Sequence, residues 1–380
     1  MTGKITHFRV GNGDMTLITL DDADKTTILV DCNICENTDD EEDRDGRDEL
    51  LARLQRDESN RPYVDVMVLS HPDQDHCRGL IDNFHLGPLS EYDDDGEKIV
   101  IREMWSSPLI FRRRSEDNPL CEDAIAWNTE AKRRVNWFRD NKPEEPIDGD
   151  RILILGGDEP GHIDGAEDLV IPAGTVFNKV RGKASNFLSV RLLAPLPAEE
   201  LDEETLDKNH SSIIMQMSLA ASKKDETKTL YLTGGDAAVA IWKKLWGKYK
   251  KDKSALEYDL MLAPHHCSWG VISSESYDGG KGKSDQEALN ALGVIRSGGT
   301  IVSSSKTIED DDDDPPCFGA KQEYEKIANG ADGFFLCTAD ESEPIEFNIT
   351  NSGPQRAEKV KAAYISAGST GVVSTPAKHG

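Results

Sequence analysis

Three separate stretches of the chain carry residues of the types that bind divalent metal ions, each directly after an apolar run that predicts a strand. The first follows residues 64–69 and contains two histidines and two aspartates: His71, Asp73, Asp75 and His76. Asp236 follows residues 229–232, and His265 and His266 follow residues 260–262. In α/β folds, functional groups gather where strands end, because the sheet holds the backbone rigid there. The pattern therefore predicts that these side chains converge on one metal site.

The cost of burying carboxylates is the physical reason to expect a cation. Ionised carboxylates are expensive to remove from water unless they are paired or bind a metal. Mixed nitrogen and oxygen donors suit zinc, manganese or iron rather than calcium. We predict two divalent ions, zinc or manganese: His71 and Asp73 face one, Asp75 and His76 face the other, and Asp236 bridges them. Such a pair lowers the pKa of bound water to about 7, so that it attacks a phosphoryl or carbonyl centre.

The residue types leave two alternatives open. In the simpler interpretation, Asp75 only caps a helix and His71 only bonds to the backbone of a turn. The sequence also does not decide which of His265 and His266 binds metal; the other would orient the substrate or protonate the leaving group. We take His265 as the ligand, and Asp75 and His266 as the catalytic residues.

Apolar runs separated by turns predict an α/β chain. Strands are expected at residues 5–10, 15–20, 27–30, 64–69, 152–155, 188–193, 213–219, 229–232, 260–262, 300–303 and 334–338. Leu50, Leu51 and Leu54 share one face of a predicted helix, and a second helix runs through Trp242. Residues from about 86 to 150 combine tryptophans with many charges and are typical of a helical insertion. Residues 351–380 are rich in small side chains and predict a flexible tail.

The composition limits the possible partners. A chain of 380 residues can form one large α/β domain with insertions. Its formal net charge of -27 repels phosphate backbones, so broad electrostatic binding to nucleic acid is not expected. The basic runs at 112–114, 132–134 and 243–253 are more typical of solvated helix faces than of a nucleic-acid surface.

The cysteines and the N-terminus indicate an intracellular protein. Seven cysteines without a framework spacing do not fit a disulfide-stapled secreted domain, and the lone pair Cys32 and Cys35 is weak evidence for a metal or redox site. The first residues contain no apolar signal segment, and no run approaches the roughly 18 apolar residues of a membrane span. We therefore expect a cytoplasmic location without membrane contact.

The motifs together resemble a known family. Metallo-β-lactamase-fold hydrolases carry an H-x-H-x-D-H loop after a buried strand, a later aspartate at a strand end and a final histidine; here Asp73 replaces the second histidine. With VGNGD at 10–14, LTGGD at 232–236 and APHHCS at 263–268, the chain resembles the hydrolase domain of ComEC-type competence proteins in a free-standing form without the membrane channel. The resemblance implies an αββα sandwich of two mixed sheets flanked by helices, spanning residues 1–350 with the insertion at about 86–150.

The chain departs from that family pattern at several places. Asp31-Cys32-Asn33 stands where the family has Asp-Thr-Gly, and Cys267 stands where it has Gly. The remaining ligand of the usual set is a histidine before Asp236, for which His210 is the best-placed candidate and His162 the second. Ser268 and Lys306 are candidate phosphate contacts. These departures concern substrate preference more than metal binding.

The resemblance favours metal-dependent phosphodiester hydrolysis of DNA, RNA or a nucleotide. The acidic charge favours a short or single-stranded substrate, or a protein partner that supplies the basic surface. One alternative is a small-molecule hydrolase acting on a cyclic nucleotide, a lactone or a thioester. Another is a non-catalytic, partner-binding component of a multi-protein antiviral defence system.

Overall fold

Two mixed β-sheets form the centre of the computed structural model, which describes residues 2–35, 46–94, 96–108, 120–157, 163–197, 200, 212–224, 228–277 and 282–357. The first sheet contains β1 (Lys4–His7), β2 (Thr16–Thr19), β3 (Thr27–Val30), β4 (Gln55–Arg56), β5 (Pro62–Leu69), β6 (Phe84–His85), β7 (Ile99–Ser106), β8 (Arg151–Leu155), β9 (Val170–Ile171), β19 (Ile345–Thr350) and β20 (Gly353–Arg356). Its main path runs β20-β19-β1-β2-β3-β5-β7-β8-β9, with β4 paired to β5 and β6 to β7.

The second sheet has the order β10-β13-β14-β15-β16-β17-β18. Its strands are β10 (Val176–Phe177), β13 (Leu188–Ala194), β14 (Ile214–Leu219), β15 (Thr229–Thr233), β16 (Tyr258–Leu262), β17 (Ile295–Ser303) and β18 (Phe334–Cys337). A separate hairpin joins β11 (Lys179–Val180) to β12 (Lys183–Ala184). The helices are α1 (Gly46–Leu51), α2 (Gln74–Cys77), α3 (Leu80–Asn83), α4 (Glu122–Asn141), α5 (Val239–Tyr249), α6 (Gln286–Leu292) and α7 (Phe318–Gly330).

Three apolar cores define four layers. One core lies between the sheets, where Val66 and Val68 of the first sheet are clustered with Tyr231 and Leu260 of the second. Another packs α1 to α4 against the outer face of the first sheet, and the third packs α5 to α7 against the outer face of the second. The predicted sandwich of two mixed sheets flanked by helices is confirmed at this level. None of the described helices has the length and apolar character needed to cross a lipid bilayer.

The strand before the first candidate ligands is β5, and all eight of its residues are buried. The strand expected at residues 64–69 is therefore confirmed. Its one charged residue, Asp65, accepts hydrogen bonds from the Thr27 backbone and from Arg102 and Arg181, which offsets the cost of burial.

The segment 86–150 is not simply a helical insertion. It contributes β7, which lies between β5 and β8 in the middle of the first sheet, before the long helix α4 covers that sheet. The prediction was wrong because Arg102 and Glu103 interrupt the apolar pattern of β7. Arg102 pairs with Asp65, and Glu103 accepts a hydrogen bond from Trp105, so both charges are partnered within the fold.

The C-terminal boundary also differs from the prediction. β19 pairs with β1, and β20 extends the same sheet through Arg356, so the strand pairing continues past residue 350. The predicted flexible tail is therefore wrong for residues 353–356. Residues 358–380 lie outside the described part of the chain.

Candidate metal centre

The loops after β5, β15 and β16 meet at one edge of the sandwich. A backbone hydrogen bond of 2.9 Å from Ile213 N to Ser70 O joins the loop after β5 to the segment before β14, and another of 2.9 Å from His265 N to Gly235 O joins the loops after β16 and β15. Gly235 permits this approach: it has a φ of +47°, and a Cβ there would lie 3.2 Å from the Ser70 Cβ and 3.1 Å from the Ser212 Cβ. The parallel strand ends therefore deliver the candidate ligands to one place.

Two groups of donor atoms share Asp236. Donor group A consists of His71, Asp73 and Asp236, and donor group B consists of Asp75, His76, Asp236 and His266. Within each group, one possible ligand atom per residue lies within 4.8 Å of all the others. Five of these six residues are in the set predicted from sequence as metal ligands; the sixth, His266, was predicted to be catalytic.

Several donor atoms are buried without a hydrogen-bond partner. His71 Nε2, His76 Nε2 and Asp236 Oδ1 are orphaned in this sense. The separations are 3.2 Å from His71 Nε2 to Asp236 Oδ2 and 3.1 Å from His76 Nε2 to Asp236 Oδ1. Donors bound about 2.0–2.2 Å from one ion at roughly tetrahedral or octahedral angles are separated by about 3.0–3.5 Å. The orphaned atoms and their spacing therefore fit divalent ions.

Outer carboxylates orient two of these imidazoles. Asp31 Oδ2 lies 2.8 Å from His76 Nδ1, and Asp31 also accepts hydrogen bonds from the Ser70 backbone and hydroxyl. On the other side, His266 Nδ1 lies 3.3 Å from Asp14 Oδ1 and 3.1 Å from the Ser304 carbonyl. A proton held on Nδ1 leaves the Nε2 lone pair facing the cluster, which is the usual arrangement of metal-binding histidines.

Sequence reasoning did not assign roles to Asp14 and Asp31, although both stood in the quoted motifs. The motif around Asp14 also has a steric basis. A Cβ on Gly13 would lie 2.7 Å from the Asp75 carbonyl and 2.6 Å from Asn33 Cγ. Only glycine lets this loop approach the Asp75 backbone so closely, and the Asp14 N–H donates to the Asp75 carbonyl at 3.1 Å.

The electrostatics of the cluster are dominated by opposite charges. Burial alone would raise the pKa of Asp236, but His76 and His71 hold it well below its usual range. Burial also opposes protonation of the histidines, yet Asp236 and Asp31 raise the pKa of His76, and Asp14 and Asp75 raise that of His266 to about 10. Protons on the histidines thus balance the carboxylates when no ion is bound, and a metal must displace them.

The two adjacent histidines take different positions. His265, His266 and Cys267 all have positive φ, at 50°, 49° and 69°, a strained conformation that is found mainly at functional sites. This backbone turns His266 into donor group B, fully buried, whereas His265 is partly exposed at the rim. The Nε2 atom of His266 therefore lies among the donors of group B, and the prediction that His265 is the ligand and His266 the catalytic residue stays a prediction.

The simple helix-cap interpretation of Asp75 does not fit. Asp73 is the N-cap of α2 and its side chain makes no capping hydrogen bond, whereas the Asp75 carboxylate lies 3.1 Å from His266 Nε2. Burial raises the pKa of Asp75, but the hydrogen bond from His266 and the charge of His76 outweigh it and lower the pKa.

Four further residues were predicted from sequence as metal ligands or phosphate contacts, and the structure describes two of them. His210 and His162 lie outside the described residues. Ser268 is buried, and its hydroxyl accepts from Gly270 N; the phosphate contact expected there stays a prediction. Lys306 is exposed beside Asn12. Ser212, just before β14, accepts a hydrogen bond from the Asp236 backbone N–H.

Nine chains among the solved structures match the fold of this chain, including the following one. The chain is similar to the crystal structure of unliganded yeast PDE1, with a TM-score of 0.39 and 10% sequence identity, over 88% of this chain and 97% of that chain. No protein-family model and no curated protein sequence matches. The functional assignment therefore rests on the geometry of the metal centre.

Proposed function

We propose that this chain is a metal-dependent hydrolase of the metallo-β-lactamase fold, related to ComEC-type hydrolase domains, that cleaves phosphodiester bonds. The observation that carries the proposal is the convergence of donor groups A and B on Asp236, with orphaned, buried nitrogen and oxygen atoms at their centre. Donor group A would hold one divalent ion and donor group B a second, with zinc or manganese as the metals that these donors suit. Asp236, which belongs to both groups, would help to hold both ions.

His265 is proposed as a further donor to the ion in group A. Its Nε2 lies 3.5 Å from Asp236 Oδ2, the oxygen that His71 also faces. Burial lowers the pKa of His265, so its imidazole is neutral at pH 7 and has a free lone pair. The side chains of Asp73 and His265 are 20% and 26% exposed at group A, and that of Asp75 is 32% exposed at group B, so water and substrate can reach both groups.

Bound ions would supply Lewis-acid stabilisation of a phosphoryl group and a nucleophile derived from water at neutral pH. The side chains and backbone of the protein orient the donor atoms and hold them in place. Asp31 and Asp14 hold the imidazoles of His76 and His266 with Nε2 towards the cluster. The backbone ties between Ser70, Gly235 and the neighbouring loops keep the donors from the two sheets in a fixed geometry.

The negative charge beside the metal centre favours a small or single-stranded substrate. A pocket beside the metal centre is lined by Asn12, Lys306, Glu309, Asp311 and Asp313 among others, so carboxylates outnumber the one lysine. These carboxylates repel a rigid polyanion such as duplex DNA, whereas a nucleotide or a flexible single strand presents fewer phosphates to them. Action on a duplex would require a partner that supplies positive charge.

The test is hydrolysis by the full-length protein after chelation and reloading with Mn²⁺ or Zn²⁺. Bis-p-nitrophenyl phosphate, single-stranded DNA, duplex DNA and a lactone panel separate the substrate classes. Asp236→Asn should lose metal-dependent turnover by at least about 100-fold, because it removes the charge shared by both groups.

His85→Gln is the matched control. His85 is also buried, but it lies in β6, which pairs with the first residues of β7 and not with the strand ends at the metal centre. Turnover that survives in Asp236→Asn, or a reloaded protein that cleaves only lactones, would refute phosphodiester hydrolysis at this site.

A further inference from the structure

Two cysteine thiols lie in contact beside the segment 71–76, which carries four of the candidate metal ligands. Cys77 is the last residue of α2, next to His76, and Cys121 is the N-cap residue of α4. Their sulfur atoms are 3.7 Å apart, and all seven cysteines of the chain are free. A disulfide requires a separation of about 2.05 Å, so the two sulfurs need to approach each other by less than about 2 Å.

We propose that Cys77 and Cys121 form a redox-active dithiol that a hydroperoxide oxidises to a disulfide. Cys121 is the partly exposed member and Cys77 the buried one, so the oxidant reaches Cys121 first. Cys121 then becomes a sulfenic acid, and Cys77 is in place to resolve it. This arrangement of an accessible sulfur beside a resolving thiol is typical of redox-sensing cysteines.

The local contacts prepare Cys121 for attack. Its sulfur accepts a hydrogen bond from the Ala124 backbone N–H at 3.4 Å, in the first turn of the 20-residue helix α4, where the helix dipole favours negative charge. The hydrogen bond from Cys77 lowers the pKa of Cys121 to about 6 and outweighs burial, which acts to raise that pKa. A substantial thiolate fraction is therefore present at neutral pH.

The reaction balances with one hydroperoxide. The Cys121 thiolate attacks the peroxide O–O bond, which gives the sulfenic acid and releases an alcohol, or water from hydrogen peroxide. The Cys77 sulfur then attacks the sulfenic sulfur; the S–O bond breaks, the S–S bond forms and water leaves. Two thiols lose two electrons and two protons in total, and the peroxide is reduced.

Disulfide formation would act on donor group B. Cys77 Sγ also lies 3.1 Å from the Asp73 carbonyl oxygen, and the His76 carbonyl accepts from Cys32 N at 2.9 Å, so the short helix α2 is in contact with its neighbours on both sides. Moving Cys77 towards α4 displaces the neighbouring His76 and Asp75. This consequence rests on the proposed function, whereas the disulfide itself does not.

The first experiment maps the thiols of the full-length protein. The reduced, metal-free chain is treated with hydrogen peroxide, alkylated and digested without reduction, and the peptides are identified by mass spectrometry. We expect a Cys77–Cys121 cross-link, its loss in Cys121→Ser and its retention in Cys35→Ser, a control at another partly exposed cysteine. Serine is a favoured N-cap residue, so Cys121→Ser keeps the start of α4. Cys121 found as sulfinic acid, or still alkylated, without the cross-link would overturn the proposal.

The second experiment measures Mn²⁺ binding to reduced and oxidised protein by titration calorimetry. We expect affinity to fall on the order of tenfold on oxidation, as for disturbed ligand support elsewhere, and to recover with dithiothreitol. Equal affinity in a cross-linked protein would refute the coupling to group B. A reduced protein that binds no Mn²⁺ or Zn²⁺ would instead refute the proposed function and leave the dithiol standing.

Discussion

The orientation of His76 by Asp31 can be tested by a change of one atom, Asp31→Asn. In the structure, one carboxylate oxygen of Asp31 accepts from the Ser70 backbone N–H at 2.6 Å, and the other lies 2.8 Å from His76 Nδ1 and 2.7 Å from the Ser70 hydroxyl. Asparagine can keep an oxygen at the first position, which puts its NH₂ group against His76 Nδ1. That donor favours the tautomer with hydrogen on Nε2, where the lone pair must bind the ion.

The expected cost follows from this change of tautomer. Loss of such outer support weakens metal binding by about 10- to 100-fold, which corresponds to about 1.4–2.7 kcal/mol. The fold should survive, because the side-chain volume and the Ser70 contact are kept. The change in metal affinity is measured by titration calorimetry with Mn²⁺ or Zn²⁺ at about pH 7.5, roughly one unit above the ordinary histidine pKa.

The control is Asp21→Asn, in the turn before β3, at the opposite end of that strand from Asp31. Its metal affinity should equal that of the unmodified chain. If Asp31→Asn binds metal within about twofold of the control, the carboxylate does not set the histidine tautomer and the orientation argument fails.

Three further predictions concern stability. Removing metal with a chelator should lower the free energy of unfolding by about 2.7 kcal/mol relative to metal at 100 times its Kd, and thermal melts that do not respond to chelator would contradict a bound ion. Burial lowers the pKa of His7 to about 4, although the charge of Asp14 acts to raise it. As the pH falls, His7 is therefore protonated in the unfolded chain before it is protonated in the folded one, and the free energy of unfolding should fall by about 3 kcal/mol between about pH 6.5 and 4. In urea melts across that range, His7→Gln should abolish this pH dependence. Gly13→Ala, with its Cβ 2.7 Å from the Asp75 carbonyl, should destabilise the fold by about 1–3 kcal/mol and weaken metal binding, whereas Gly247→Ala, where a Cβ meets nothing within 4 Å, should not weaken it.

The sequence carries enough information for the strands and the ligand types but not for their final partners. The run that became β5 is apolar throughout because it is buried on both faces, and such strands can be recognised without a structure. β7 was missed because its charges at Arg102 and Glu103 look like surface residues until Asp65 and Trp105 are placed beside them. A local pattern cannot show a partner that is distant in sequence.

The same limit applies to the metal centre. The direction of His266 depends on left-handed backbone at three consecutive non-glycine residues, which no propensity predicts. The roles of Asp14 and Asp31 depend on how close the loops after β5 and β16 come to the first strands, which is a matter of sheet packing. The spacing of donors along the chain indicated an ion site, and only the packing distinguishes donors from the groups that orient them.

Charge balance favours two ions over one at this centre. The donor groups and their outer support contain five carboxylates, from Asp14, Asp31, Asp73, Asp75 and Asp236, and three histidines that must be neutral to bind metal. Two divalent ions leave a single negative charge in this mostly buried cluster, whereas one ion leaves three. Uncompensated charge in a buried place costs several kcal/mol per group. With a single ion bound, some histidines would therefore keep their protons, and these protons would compete with the ion for the imidazole nitrogens and weaken its binding steeply. A loaded protein with one ion per chain at pH 8, measured by elemental analysis, would therefore contradict the bridging role of Asp236.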